Sequence, residues 1–91
     1  MTGTFEYAMK ALRNKARVHR QDWTDISYVV LLPGYPEGIQ INENNAQAHR
    51  LKVGATLHYK PYFQGCTVTG EIIVWNATTE DLLAEDWHII D

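Results

Sequence analysis

Apolar residues near the start of the chain recur with the period of an α-helix. They follow an i, i+3, i+4, i+7 spacing and are Phe5, Ala8, Met9 and Leu12. A single apolar stripe of this kind predicts an amphipathic helix. Thr4 can cap its start through the side-chain hydroxyl, and Asn14 is a suitable end because asparagine tolerates the left-handed conformation that closes many helices.

After the helix, the apolar pattern changes to the period of two that is typical of β-strands. Val18 and Arg20 share one face of a short strand, and residues 26–32 form a second, β-rich run. Pro33 and Gly34 end that run, because neither residue readily continues a strand.

The middle of the chain is rich in glycine, proline and asparagine. Residues 33–48 therefore read as a loop, with a short edge strand at Ile39–Ile41. Residues 55–63 and 67–75 are strand-like, and the intervening segment 64–66, Gln-Gly-Cys, suits a turn.

Residues 78–90 predict a short helix followed by a strand. Thr78 is suited to cap a helix that carries acidic residues in its first turn, and residues 87–90 read as a strand. The pattern as a whole predicts the α+β class: an N-terminal helix packed on a mostly antiparallel β-sheet, with a short helix near the C-terminus. We expect residues 1–91 to form a single domain.

Size and composition restrict the kinds of function. A chain of 91 residues buries a modest core, yet this one carries three tryptophans, five tyrosines and two phenylalanines. This aromatic content fits an oligomer, an aromatic ligand site or a well-filled small core. The net charge of −3 argues against long nucleic acid as a partner. No apolar run is long enough to span a bilayer, so we expect a soluble protein with no membrane partner.

The charges are unevenly distributed along the sequence. Five cations fall within residues 10–20 and five acids within residues 80–91. The two clusters can be solvated surfaces that pair loosely, or the basic cluster can attract a small phosphorylated ligand.

The sequence contains few of the side-chain patterns that catalysis requires. It has neither a GxGxxG motif nor a phosphate loop, and its single cysteine, Cys66, has no local feature that would activate it. The four histidines lack metal-ligand spacing, so we expect no metal site and no cofactor. Asp81 and Asp86 point to different sides of a short helix, which favours capping or ion pairing over acid–base chemistry. We therefore expect binding and no enzyme activity, and name no catalytic residue.

Arg20 and two tryptophans are the candidates for functional or structural roles that the residues themselves suggest. Arg20 is two residues from the apolar Val18, so both side chains should lie on the core face of the strand. A buried guanidinium needs a partner, and Asp81 or Asp86 is the natural carboxylate. Contact with a ligand phosphate is the alternative. Trp23 and Trp75 each end a strand, and an indole can stack on a base. Trp75 also precedes a polar turn, whose backbone N–H groups can bind an anion.

Three motifs resemble those of a known phage family. They are FxxAMxxL at residues 5–12, VxRxxW at residues 18–23 and W-NATTE-DLLAEDW at residues 75–87. Together they resemble the second type of Thoeris anti-defence protein, whose members end in a DLLAxDW-type motif. The resemblance covers nearly the whole chain, and residues 33–66 carry little of it.

The resemblance implies a sponge for an immune messenger. In Thoeris defence, a TIR-domain enzyme makes a cyclic ADP-ribose isomer that activates a lethal effector. Proteins similar to this chain sequester that messenger intact in the cytoplasm of the infected bacterial host. Relatives assemble as tetramers with pockets at subunit contacts, and some bind cyclic di- or trinucleotides, which would extend the role to CBASS-type signalling. One relative is described as an anti-CRISPR protein, so the alternative function is a protein-binding inhibitor of a bacterial defence effector. A third hypothesis is an enzyme that degrades the nucleotide.

The resemblance also suggests roles for individual residues. It implies that Trp23 and Trp75 stack on the ligand or form a wall, that Asn76 and Thr79 make polar contacts, and that Phe5 contributes from a neighbouring subunit. Charge alone adds two candidate phosphate contacts, which are Arg50 and Lys60. Roles in structure are expected for Arg20, Asp81, Asp86 and Trp87.

Overall fold

The computed structural model of the chain describes residues 2–91 and contains three helices and seven strands in that range. In chain order they are α1 (Phe5–Arg13), β1 (Val18–Arg20), β2 (Ile26–Leu32), β3 (Tyr35–Gln40), α2 (Glu43–His49), β4 (Thr56–Tyr59), β5 (Tyr62–Thr67), β6 (Ile72–Val74), α3 (Thr79–Leu83) and β7 (Trp87–Ile89). The predicted α+β class is confirmed, including the N-terminal helix and the short helix near the C-terminus. None of the helices within residues 2–91 is both long and apolar enough to cross a membrane.

The chain divides into two compact units. Unit 1 comprises the residues up to Leu32 together with Phe63–Asp91, and unit 2 comprises Pro33–Tyr62. The expectation of one domain over residues 1–91 stays a prediction.

Unit 1 consists of α1, α3 and a five-stranded sheet in the order β6-β5-β2-β1-β7. Strand β1 lies between β2 and β7 and pairs antiparallel with both, so that Val18 lies opposite Val29 on one side and Ile89 on the other. Beyond β7, Gly3 and Trp87 exchange two backbone hydrogen bonds of 2.8 and 3.0 Å. The start of the chain thereby covers one edge of the sheet.

Helix α1 forms where the apolar stripe predicts it. The Thr4 hydroxyl accepts from the backbone N–H of Tyr7 at 3.4 Å, and Asn14 is the C-terminal cap. The left-handed residue is the next one, Lys15, with a φ of 66°. The helix presents Ala8, Ala11 and Leu12 to the core, and these pack with Val18, Val29, Trp75 and Trp87.

Unit 2 is more regular than its composition predicts. Strands β3 and β4 pair antiparallel, and α2 occupies residues that the sequence reading treated as loop, so the loop prediction for 33–48 is wrong. The Asn42 side chain caps α2 by accepting from the backbone N–H of Asn45 at 3.0 Å, and Arg50 ends the helix in the left-handed conformation. Asn42 meets the preference of asparagine for caps, whereas Asn44 and Asn45 lie inside the helix, where the packing of the buried Ala46 outweighs that preference.

The turn predicted at residues 64–66 is also wrong. These residues lie inside β5, where Gly65 pairs with Ile73 of β6, and the chain reverses instead near Gly70, which has a φ of 89°. Gly65 is used for close packing, because a Cβ at this position would lie 3.2 Å from Ile73 Cγ1.

Candidate functional site

Three tryptophans form a cluster in unit 1. The ring centroids of Trp23 and Trp87 are 5.1 Å apart, those of Trp23 and Trp75 are 6.0 Å apart, and those of Trp75 and Trp87 are 6.1 Å apart. All three pairs meet edge to face, the geometry that the charge distribution of aromatic rings favours. Phe5 adds a ring 5.5 Å from that of Trp87. We call Trp23, Trp75 and Trp87 the tryptophan cluster.

Burial separates the members of the tryptophan cluster. Trp87 is fully buried and Trp75 is 5% exposed, whereas Trp23 is half-buried. The Trp75 indole is therefore almost entirely covered by its own chain. Its role as a stacking or wall residue stays a prediction. Trp23 is the member that can still contact a ligand. Phe5 is half-buried against Trp87 of its own chain, and its contribution from a neighbouring subunit stays a prediction.

Arg20 lies between the two acids that the sequence offered as its partners. Its Nη1 donates to Asp81 Oδ1 and its Nε donates to Asp86 Oδ1, both at 2.9 Å. The Arg20 and Asp81 side chains are each 8% exposed. The second oxygen of Asp86 accepts from the backbone N–H of Asp22 at 3.0 Å. We call Arg20, Asp81 and Asp86 the Arg20 network. It connects β1 to α3 through Asp81 and to the loop before β7 through Asp86.

Hydrogen bonding keeps the carboxylates of the Arg20 network ionised. Burial disfavours the charged form of Asp81, but the backbone N–H of Thr78 and the Arg20 guanidinium outweigh burial and hold the pKa of Asp81 below its usual value. For Asp86, burial likewise opposes ionisation, and hydrogen bonds from Arg20 and from the Asp22 backbone lower the pKa on balance. The hydrogen bond to Asp86 is the main reason that the pKa of Arg20 is raised.

The polar turn after Trp75 is organised by a capping box. The backbone N–H of Thr78 donates to Asp81 Oδ2 at 3.0 Å, and the backbone N–H of Asp81 donates to the Thr78 hydroxyl at 3.1 Å. These two N–H groups are thus occupied within the protein, although such groups were candidates for an anionic ligand. Asn76 and Thr79 are exposed on this turn, where a ligand can reach them.

The charge clusters at the two ends of the sequence meet in two places. Besides the Arg20 network, Arg17 binds Asp91 through two hydrogen bonds of 2.6 and 2.8 Å, and its guanidinium lies 4.8 Å from the centre of the Tyr28 ring. The ion pair raises the pKa of Arg17 and lowers the pKa of Asp91. Two of the five basic side chains are thereby committed to acids of the C-terminal segment.

The two cations proposed from charge alone, Arg50 and Lys60, lie in unit 2. Arg50 is the exposed cap of α2, and Lys60 is exposed beside a cavity of about 310 Å³ that His58, Tyr59 and two prolines also line. Neither cation belongs to the tryptophan cluster or to the polar turn, which lie in unit 1.

Unit 2 also contains a cleft that sequence reasoning missed. Its volume is about 260 Å³, and three tyrosines and three amide side chains line it: Tyr35, Tyr59, Tyr62, Gln40, Asn42 and Asn45. We call it the amide–tyrosine cleft. The signal that could have located it is the clustering of tyrosine and asparagine within residues 35–62, but only the pairing of β3 with β4 and the formation of α2 bring these side chains together.

The fold and these features define a small α+β protein whose first strand is joined to its C-terminal segment by ion pairs, of which Arg20–Asp81 is buried. The residues that carry this arrangement are those of the VxRxxW and DLLAEDW motifs. The family model of the Thoeris anti-defense 2-like domain matches residues 3–90. The chain belongs to this family and has a phage anti-defence role. A comparison with curated proteins finds no match.

Proposed function

We propose that this protein binds a cyclic nucleotide immune messenger, a cyclic ADP-ribose isomer or a related cyclic di- or trinucleotide, and holds it without cleaving it. The observation that carries the proposal is the family match over residues 3–90. Sequestration in the cytoplasm of the infected bacterium would block Thoeris or CBASS-type signalling. A sponge that competes with an effector needs nanomolar affinity, equivalent to about −12 kcal/mol.

The chemistry of the best-placed acids supports binding over catalysis. A general acid must hold a proton near neutral pH, and a general base works best with a pKa near the working pH. The pKa values of Asp81 and Asp86 are lowered, and both carboxylates are engaged by Arg20 and by backbone N–H groups. They are therefore suited to fixing the fold around a ligand and are poorly suited to proton transfer.

A release experiment separates sequestration from the other two functions. We expect the protein to remove a cyclic ADP-ribose isomer from solution during ultrafiltration and to return it with unchanged mass after heat denaturation. A steady loss of messenger over time would indicate a degrading enzyme. Messenger that passes the filter together with inhibition of a defence effector through a stable protein complex would indicate a protein-binding inhibitor. Either result contradicts the sponge.

We further propose that the sponge is a homo-oligomer, a tetramer built as a dimer of dimers, and that β6 forms one of its contacts. This strand is at the edge of the five-stranded sheet, and Ile72, Ile73 and Val74 are 59%, 37% and 71% exposed. An apolar strand edge without a charge of its own readily pairs with another strand. A second copy supplies an identical strand, and a two-fold axis allows the two to pair antiparallel.

Replacing Val74 with lysine tests this contact. We expect the V74K variant to shift the solution mass toward a smaller species, because a charge at the strand edge disfavours pairing. Val53→Lys is the matched control, since Val53 is similarly exposed at 66% but lies in unit 2. Light scattering gives the mass of each variant. An unchanged mass for V74K, or an equal shift for V53K, would remove β6 from the interface.

A further inference from the structure

We propose that the amide–tyrosine cleft of unit 2 is a nucleobase site that takes an adenine ring. The inference rests on the proposed function for the choice of adenine, because the messenger considered there is an ADP-ribose derivative. The chemistry of the cleft by itself supports a less specific ligand: a flat, uncharged heterocycle with adjacent donor and acceptor groups.

The bulged pairing of β3 with β4 gives the cleft its shape. Tyr35 lies opposite Tyr59, but Ile39 lies opposite Leu57, so β3 contains two extra residues between these pairs. Gly38 lies within this bulge with a φ of 93°, and His58 Nδ1 donates to the carbonyl of Pro36 at 3.1 Å, which satisfies a backbone group that the ladder leaves out. Bulges redirect side chains and recur beside functional sites.

The tyrosines of the cleft suit a flat ring. The centroids of the Tyr35 and Tyr59 rings are 6.1 Å apart at an interplanar angle of 88°, so one ring can offer its face while the other offers its edge. Tyr35 is 51% exposed, which leaves room for a stacked ligand. Ile41, which is 4% exposed, also lines the cleft and adds an apolar surface. Aromatic stacking is the usual means of holding an unpaired base.

The amides provide one donor and one acceptor next to each other. Asn42 Oδ1 accepts from both the backbone N–H and the Nδ2 of Asn45, at 3.0 and 3.3 Å. These bonds use Asn42 Oδ1 and Asn45 Nδ2, so the Asn42 amide nitrogen can still donate and Asn45 Oδ1 can still accept. An adenine edge is complementary, because its amino group donates and the adjacent ring nitrogen accepts. A single asparagine or glutamine amide often supplies both groups to adenine, and here the two asparagines would share that role.

Size and charge exclude the remainder of the ligand from the cleft. Sites for drug-sized ligands occupy about 300–1,000 Å³, so a volume of about 260 Å³ is slightly below that range and suits a single base. No charged side chain lines the cleft within residues 2–91, and the phosphates of a messenger would therefore extend out of it.

Adenosine is the probe that tests the cleft, because it carries the base without phosphate. We expect saturable binding of adenosine to the full chain with a Kd on the order of 0.1–1 mM. In isotope-edited NMR, the shifted amide signals should come from residues 35–62. Ribose 5-phosphate, which lacks the base, should produce no shifts there. Shifts confined to unit 1, or no adenosine binding at all, would overturn the proposal.

Asn45→Ala is the decisive variant, because alanine is a better helix former and leaves the backbone cap of α2 in place. We expect adenosine binding to weaken about tenfold. Asn44→Ala is the matched control, since Asn44 is the neighbouring asparagine of α2 and does not line the cleft. Tyr35→Phe should bind nearly as the parent does and Tyr35→Ala should lose about tenfold. Equal binding by the Asn45 and Asn44 variants would overturn the proposal.

The messenger provides a separate readout. If the protein returns intact messenger but N45A and Y35A hold it as tightly as the parent chain, the cleft is wrong and sequestration stands. If adenosine binds in the cleft while the messenger passes the filter, the cleft stands and sequestration is wrong.

Discussion

Replacing Arg20 with leucine is expected to lower the free energy of unfolding by about 3–5 kcal/mol. The substitution leaves Asp81, whose side chain is 8% exposed, facing a buried space without its cation, and deprives Asp86 of the same partner. An unpaired buried carboxylate costs far more than the loss of one hydrogen bond. Urea denaturation followed by tryptophan fluorescence measures the change, because Trp87 and Trp75 are buried beside this region.

The control is Arg17→Leu, which removes an ion pair of 2.6 Å from an exposed site. We expect a much smaller loss of stability, since exposed pairs are screened by water. Asp86→Asn is a milder test that keeps the side-chain shape, and it should cost about 1–3 kcal/mol. Equal effects for R20L and R17L would contradict the structural role of the Arg20 network.

The Arg20 network also makes stability depend on pH. Because Asp81 and Asp86 have lowered pKa values in the folded protein, their contribution is complete above the unfolded-state pKa of about 3.9 and is lost as the pH falls through the folded-state values. The stability difference between the parent chain and R20L should therefore narrow in acid. A difference that stays constant from about pH 7 to about pH 2 would show that the carboxylates are not coupled to Arg20.

Replacing Trp87 with alanine is expected to cost about 3–5 kcal/mol, the range for removing a large buried aromatic side chain. Trp87 is fully buried, and its indole N–H donates to the carbonyl of Asp81 at 3.0 Å. Its ring also meets those of Trp23, Trp75 and Phe5 edge to face. The last residue of the DLLAEDW motif, Trp87, therefore lies in the core and contacts both other members of the tryptophan cluster.

Trp87→Phe separates packing from hydrogen bonding. It keeps a ring in the core but leaves the Asp81 carbonyl without its donor, and we expect a cost of about 1–3 kcal/mol. Leu83→Ala is the control for the neighbouring helix, because Leu83 is 76% exposed and its truncation should change stability little. If W87A lowers the free energy of unfolding no more than L83A does, the central position of Trp87 in the core is contradicted.

Sequence pattern alone predicted the ends of this fold well. The stripe from Phe5 to Leu12 and the capping threonines Thr4 and Thr78 are local signals, and their effect depends on residues within one or two turns. The parity of Val18 also located Arg20 on the core side of β1. The acids named as its partners contact it, because a buried guanidinium has few alternatives in a chain of this size.

The middle of the chain could not be predicted in the same way. Asn42 and Asn45 both favour turns and caps by local preference, and the sequence does not show that Asn42 caps a helix in which Asn45 lies. The packing of Ala46 and the pairing of β3 with β4 determine it. Gly65 resembles a turn residue and serves instead for a close approach between strands. The amide–tyrosine cleft depends on these long-range pairings, so no local pattern identified it.

The most direct test of sequestration is native mass spectrometry of the purified protein with a panel of cyclic ADP-ribose isomers, cyclic dinucleotides and cyclic trinucleotides. Sequestration predicts an oligomer that retains at least one of these ligands and releases it on activation with the mass of the intact cyclic nucleotide. An oligomer that carries none of them, or that carries only an opened or hydrolysed product, would contradict it.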